Sequence, residues 1–180
     1  MALLVLLALL ATHSLSAGDA ELLVHATAWV DQLDRTVQSL GYSVPPVLVV
    51  VNDRRGSVYF PHGNTIRTPP FRHANQSYLS LIAVSQDEAA SCHRLISNVF
   101  GTAHEYAHHL QSTAGVMASM TPSAREISAN GVAVALIRLQ PDGEVILQEL
   151  SATLTAALRQ SSYQPDTEQS VQAYFESAYH

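Results

Sequence analysis

The residues able to do chemistry gather in one stretch, Gly101-Thr102-Ala103-His104-Glu105-Tyr106-Ala107-His108-His109-Leu110-Gln111. It contains the pattern H-E-x-x-H. On a helix, four residues turn the chain through about 400°, so His104 and His108 stand one turn apart on one face. Two imidazoles placed this way can converge on one Zn²⁺ at roughly 2.0–2.1 Å. Glu105 lies about 100° around the helix, outside the ligand pair. From there it can reach a water on the metal and act as its general base. The chemistry implied is metal-assisted hydrolysis.

Two histidines leave such a site incomplete, because a catalytic zinc usually has three protein ligands and an open position. The third must come from another element packed on the first helix. Glu126 is the best placed, since it opens the next helix behind a loop long enough to turn back. Asp142, Glu144 and His109 are weaker alternatives, and His109 points about 100° away from His108. Asn130 lies one turn beyond Glu126 on the same face, where its amide can hydrogen-bond a ligand imidazole and fix the tautomer.

The motif needs a helix with an apolar back. Leu95, Ile96, Val99, Phe100, Ala103, Ala107 and Leu110 supply one, within a helix expected from about 88 to 112. Before it, the apolar positions 22, 23, 26, 29, 30, 33, 37 and 40 predict a helix over 20–40, closed by Gly41, with Trp29 as packing and His25 near the apolar face. Val47–Val51 reads as a buried strand and Ser57–Phe60 as a second, the two forming a hairpin. Residues 61–76 show no period and read as a long surface loop exposing His62 and His73. Residues 77–84 read as a third strand, along which an extended peptide would pair. After the central helix, Gly115 marks a break, and Thr121 caps a helix from Pro122 to about Leu139. A further helix over 144–160 carries the stripe Val145, Ile146, Leu150, Leu154 and Leu158. A last one in the tail turns Val171, Tyr174 and Phe175 inward.

The chain has 180 residues, 47% of them hydrophobic, enough for one domain with a real core. All nine basic residues are arginine, and the net charge of −6 argues against nucleic acid or an anionic membrane as partner. The single cysteine, Cys92, allows no internal disulfide and is expected to be buried and inert. The N-terminal run from Met1 to Ala11 is apolar but too short to span a bilayer. It fits the core of a signal peptide followed by small residues, although no Arg or Lys precedes it. Residues 1–20 are therefore set apart from a domain at 21–180, with a secreted or cell-envelope location expected.

The segment H-E-Y-A-H-H-L-Q resembles H-E-Y-G-H-H-V-Q of the bacterial neutral zinc metallopeptidases. Glu126-Ile127-Ser128-Ala129-Asn130 stands where that family carries E-x-x-A-D, and the tail Thr167–Phe175 is similar to its closing S-E-Q-R-x-x-W-F segment. Asn130 takes the place of the family's aspartate, Ala107 of its glycine and Ser170 of its arginine. The resemblance implies an α+β, zincin-like fold with a small N-terminal sheet over the H-E-x-x-H helix and a mainly helical C-terminal half. It implies Zn²⁺ held by His104, His108 and Glu126, with Glu105 as general base in a metalloendopeptidase acting on peptides or proteins. The alternative is a zincin-like protein with a degenerate or structural zinc site that binds peptide without cutting it. Composition sets no oligomeric state.

Overall fold

The periodicity of the first helix translates directly into burial. In the computed structural model, which describes residues 17–51, 57–70 and 86–160, α1 spans Ala17–Ser39. Leu22, Ala26, Val30, Leu33 and Val37 are buried along one stripe, while Leu40 is exposed. The helix ends in a Schellman turn. Gly41 takes φ +89°, its N–H donates to Gln38 O, and the N–H of Tyr42 donates to Val37 O. Trp29 packs at the edge of the core and donates its indole N–H to Val99 O at 3.0 Å. His25 lies outside that face, exposed and 3.7 Å from Glu21.

A three-stranded sheet follows, in the order β1 (Leu48–Val51), β3 (Thr65–Thr68), β2 (Val58–Phe60). β1 runs parallel to β3, and β2 antiparallel to it. The expected β1–β2 hairpin is therefore not the pairing found. The hairpin joins β2 to β3 through a 3₁₀ turn, Pro61–Gly63, closed by Asn64 in the left-handed region. Part of the expected loop at 61–76 is thus the central strand. It was hidden because Thr65-Ile66-Arg67-Thr68 has only one large apolar residue. That residue is decisive: Val49 and Tyr59 both sit opposite Ile66 in register, and all three are buried. His62 is exposed as expected. His73, the expected strand at 77–84, the tail helix and the N-terminal run fall outside the described residues.

The chain then runs helically from 86 to 113, as α2 (Gln86–His93), a π-helical segment (Arg94–Gly101) and α3 (Thr102–Thr113). Wider π turns break the 3.6-residue phase that an unbroken stripe needs. Within that segment the buried residues are Leu95 and Asn98, and Ile96, Val99 and Phe100 are only partly covered. Cys92 is half-buried rather than buried.

α4 (Pro122–Arg138) begins as expected. Pro122 sits at its start, and Thr121 Oγ1 accepts the N–H of Ala124 at 3.2 Å. α4 packs along α3, and its Ala129, Ala133, Leu136 and Ile137 are buried. α5 (Gly143–Gln160) is rotated from its predicted face. Leu150 is buried and Ile146 and Leu147 are packed on the core, but Val145 and Leu154 are exposed. The side chain of Leu158 is outside the described residues. The result is an α+β fold: a small sheet laid on α1 and α3, followed by helices. Among the described residues, no helix is long and apolar enough to cross a membrane.

Candidate metal centre

α3 is buried on almost every side, since Thr102 to His109 are all buried. Its opposite faces do different work. Tyr106 faces α1 and donates its phenol to Asp34 Oδ1 at 2.9 Å. His109 faces the sheet, near Pro45 O (Nε2, 2.9 Å) and the Tyr59 hydroxyl (Nδ1, 3.0 Å). The carbonyl can only accept, so Nε2 carries the hydrogen. His109 is therefore anchored away from the ligand pair. His104 and His108 turn toward α4, their rings nearly perpendicular at 88° and their centroids 4.7 Å apart.

The ligand atoms converge. His104 Nε2 and His108 Nε2 are 3.1 Å apart. Glu126 places Oε2 at 3.0 Å from His104 Nε2 and Oε1 at 3.4 Å from His108 Nε2. These three residues form a group able to hold a metal ion. Asp142 and Glu144 stay outside it, exposed at the start of α5, where Glu144 pairs with Arg138.

The far sides of both rings define what the near sides offer. His104 Nδ1 donates to Asn130 Oδ1 at 2.8 Å, as the position of Asn130 suggested. His108 Nδ1 donates to Gln111 Oε1 at 2.9 Å. Each ring then presents its Nε2 lone pair to the common point. Two lone pairs and a carboxylate packed at 3.0–3.4 Å repel unless a cation lies between them. A tetrahedral ion with ligands at roughly 2.0–2.1 Å separates them by about 3.3–3.4 Å, close to the spacings found. The donor set therefore fits a small divalent cation.

Charge follows the same geometry. Burial pushes the Glu126 carboxyl up, but the hydrogen bonds and charges of His104 and His108 outweigh it and bring it down to about 2. Burial lowers His108, yet the hydrogen bonds of Glu126 and Gln111, with the charges of Glu105 and Glu126, leave it raised. A metal ion bound here would compete with protons for the two Nε2 lone pairs.

Glu105 stands beside the group, 6% exposed. The backbone N–H of Tyr59, on β2, donates to its Oε2 at 2.6 Å. Burial pushes its carboxyl above the ordinary range, against the opposing pull of His104, His108 and the Tyr59 N–H.

Sequence reasoning brought together His104, Glu105, His108, Glu126 and Asn130, and the structure places all five in one site. It missed Gln111, whose signal was its position three residues after His108 on the same helical face. It also missed Tyr59, whose contribution is a backbone N–H that no side-chain pattern announces. Compared with models of protein families, with curated proteins and with solved structures, the chain matches none of them.

Proposed function

We propose that the chain is a zinc-dependent metallopeptidase of the H-E-x-x-H kind, zincin-like in fold. The observation that carries this is the pairing of a three-residue ligand group with a buried carboxylate one residue from its first histidine. Two imidazoles and one carboxylate with an open position are the donor set of a catalytic zinc. The resemblance to the bacterial neutral zinc metallopeptidases supports the same reading, and the apolar N-terminal run supports export.

In this reading His104, His108 and Glu126 hold the ion, and Asn130 keeps the His104 ring in its ligating tautomer. Bound zinc would polarise the scissile carbonyl and lower the pKa of water toward about 7. Glu105 takes a proton from the attacking water as the new C–O bond forms. It returns a proton to the departing amine as the C–N bond breaks. Burial raises its proton affinity toward what that exchange requires, and the Tyr59 N–H fixes the carboxylate.

The test is zinc content by elemental analysis together with chelator-sensitive cleavage of an unstructured protein. About one zinc per chain, lost on Glu126→Ala, with cleavage abolished by EDTA, is the expected outcome. One observation favours a second reading: both rings are oriented by neutral amides, Asn130 and Gln111, rather than by a carboxylate. A non-cleaving, zinc-holding protein would show the metal without the cleavage.

A further inference from the structure

Gln111 makes two hydrogen bonds in opposite senses. Its Oε1 accepts from His108 Nδ1 at 2.9 Å. Its Nε2 donates to the backbone carbonyl of Arg125 at 3.0 Å. Arg125 precedes Glu126 in the first turns of α4. Gln111 is 5% exposed, and its bond to His108 is buried. The two bonds also fix each other. A carbonyl can only accept, so the amide nitrogen must face Arg125 and the amide oxygen must face His108. That oxygen requires a hydrogen on Nδ1, which leaves the Nε2 lone pair for a metal. One amide therefore connects the tautomer of the second ligand to the main chain beside the third.

We infer that Gln111 is a positioning residue that couples the ring of His108 to the turn of α4 carrying Glu126, so that the ligands of two helices are set together. The inference rests on the metal-centre reading of this site. Its logic is specific to an amide: a carboxylate at 111 keeps the acceptor for His108 but turns an oxygen toward the Arg125 carbonyl. An apolar side chain gives up both bonds.

The test has two arms. In metal-free protein, ¹H–¹⁵N correlation through the imidazole rings reads the tautomer of His108. Wild type should show the Nδ1–H form, Gln111→Met should lose that preference, and Gln111→Glu should keep it. In the second arm, Zn²⁺ affinity is measured by chelator competition for wild type, Gln111→Met, Gln111→Glu, Glu126→Ala and the double variant Gln111→Met/Glu126→Ala. Gln111→Met should weaken zinc about 10–100-fold. Gln111→Glu should also weaken it, despite the retained tautomer. In the double variant the combined loss should be much smaller than the product of the two single losses, because Gln111 acts partly through Glu126. Unchanged affinity and tautomer in Gln111→Met would overturn the inference, as would losses that multiply in full. Gln111→Glu preserves shape, so the argument survives if the Met variant folds poorly. If wild type binds no zinc, the metallopeptidase reading fails by itself. The tautomer arm then still decides whether Gln111 holds His108.

Discussion

His104 Nδ1 and Asn130 Oδ1 stand 2.8 Å apart, so the ring offering its Nε2 to the metal position is held by a neutral amide. Asn130 lies one turn after Glu126 on α4, and a single stretch of helix thus provides both a candidate ligand and the group that orients its neighbour. A carboxylate in place of the amide would make the same bond and add negative charge, which raises the basicity of the imidazole. Asn130→Asp should therefore tighten zinc binding by about tenfold, and Asn130→Leu should weaken it about 10–100-fold. Chelator competition measures both, with circular dichroism to confirm folding. An Asp variant that binds no tighter than wild type would show that the amide does not limit the affinity.

Glu105 and Tyr59 are joined by a 2.6 Å hydrogen bond between a carboxylate on α3 and a main-chain N–H on β2. The phenol of the same Tyr59 is anchored at its far end, 3.0 Å from Asn64 Oδ1 and 3.0 Å from His109 Nδ1. The residue that holds the Glu105 carboxylate, the proposed general base, is thus itself held by α3 and by the β2–β3 turn. Glu105→Gln should retain zinc and lose about 10²–10⁴-fold in kcat, the usual contribution of a general base. Tyr59→Phe should retain zinc, lower stability by about 1–3 kcal/mol through its abandoned partners, and reduce kcat by less than Glu105→Gln does. Wild-type turnover in purified, zinc-loaded Glu105→Gln would remove Glu105 from the mechanism.

Much of this site could be read from the sequence because helical geometry is regular. The spacing of His104 and His108, and of Glu126 and Asn130, determines which side chains share a face before any tertiary contact is known. The sheet was less legible for a physical reason. β3 is covered at Ile66 and Thr68, yet its sequence alternates with Thr65 and Arg67 too briefly to stand out from a loop. Its parallel pairing with β1 also spans a stretch of chain over which no local rule acts. The π segment defeated the periodic argument in another way. Residues 94–101 look apolar at helical spacing, but wider turns bury Asn98, while Phe100 is only partly covered. On α5 the expected stripe included Val145 and Leu154, which are exposed, and missed Leu147, which packs on the core; only tertiary packing decided the face.

Gly143 tests how tightly α4 and α5 are joined. A Cβ at this position would run into the carbonyl oxygen of Ile137, and would come to 2.8 Å from both Cα and O of Arg138. These are backbone atoms, so no side-chain rotation relieves the overlap. Gly143→Ala should therefore destabilise the protein by about 3 kcal/mol or more, the upper end of overpacking effects. Thermal melting would show it as a clear drop in Tm. Gly18, which has no atom within 4 Å of its own would-be Cβ, supplies the control. A Gly143→Ala melting curve no lower than that of Gly18→Ala would mean that the α4–α5 corner can open freely.

His93 gives the fold a pH dependence away from the candidate site. It closes α2, is 1% exposed, and is brought down by burial to about 4, with the charge of Asp19 pulling the other way. The unfolded chain takes up a proton near 6.5, whereas the native state resists it until about pH 4. Between those values the unfolded state binds more protons, so stability rises with pH there. The contribution is whole above about 6.5 and is lost as pH falls toward 4, amounting to about 3 kcal/mol at most by the unit conversion. His108 acts in the opposite sense. Its raised value gives stability that is full below about 6.5 and fades as pH rises through the folded value. Glu126, brought down to about 2, adds stability that fades only below about 4.5. Glu105, pushed up by burial, works against His93 just above about 4.5, where the native state holds the proton more tightly. In EDTA, the fall in Tm from pH 6.5 to 4.5 should therefore be smaller in His93→Gln than in wild type, whatever the variant's absolute stability. A slope equally steep in His93→Gln would assign the acid sensitivity to other groups.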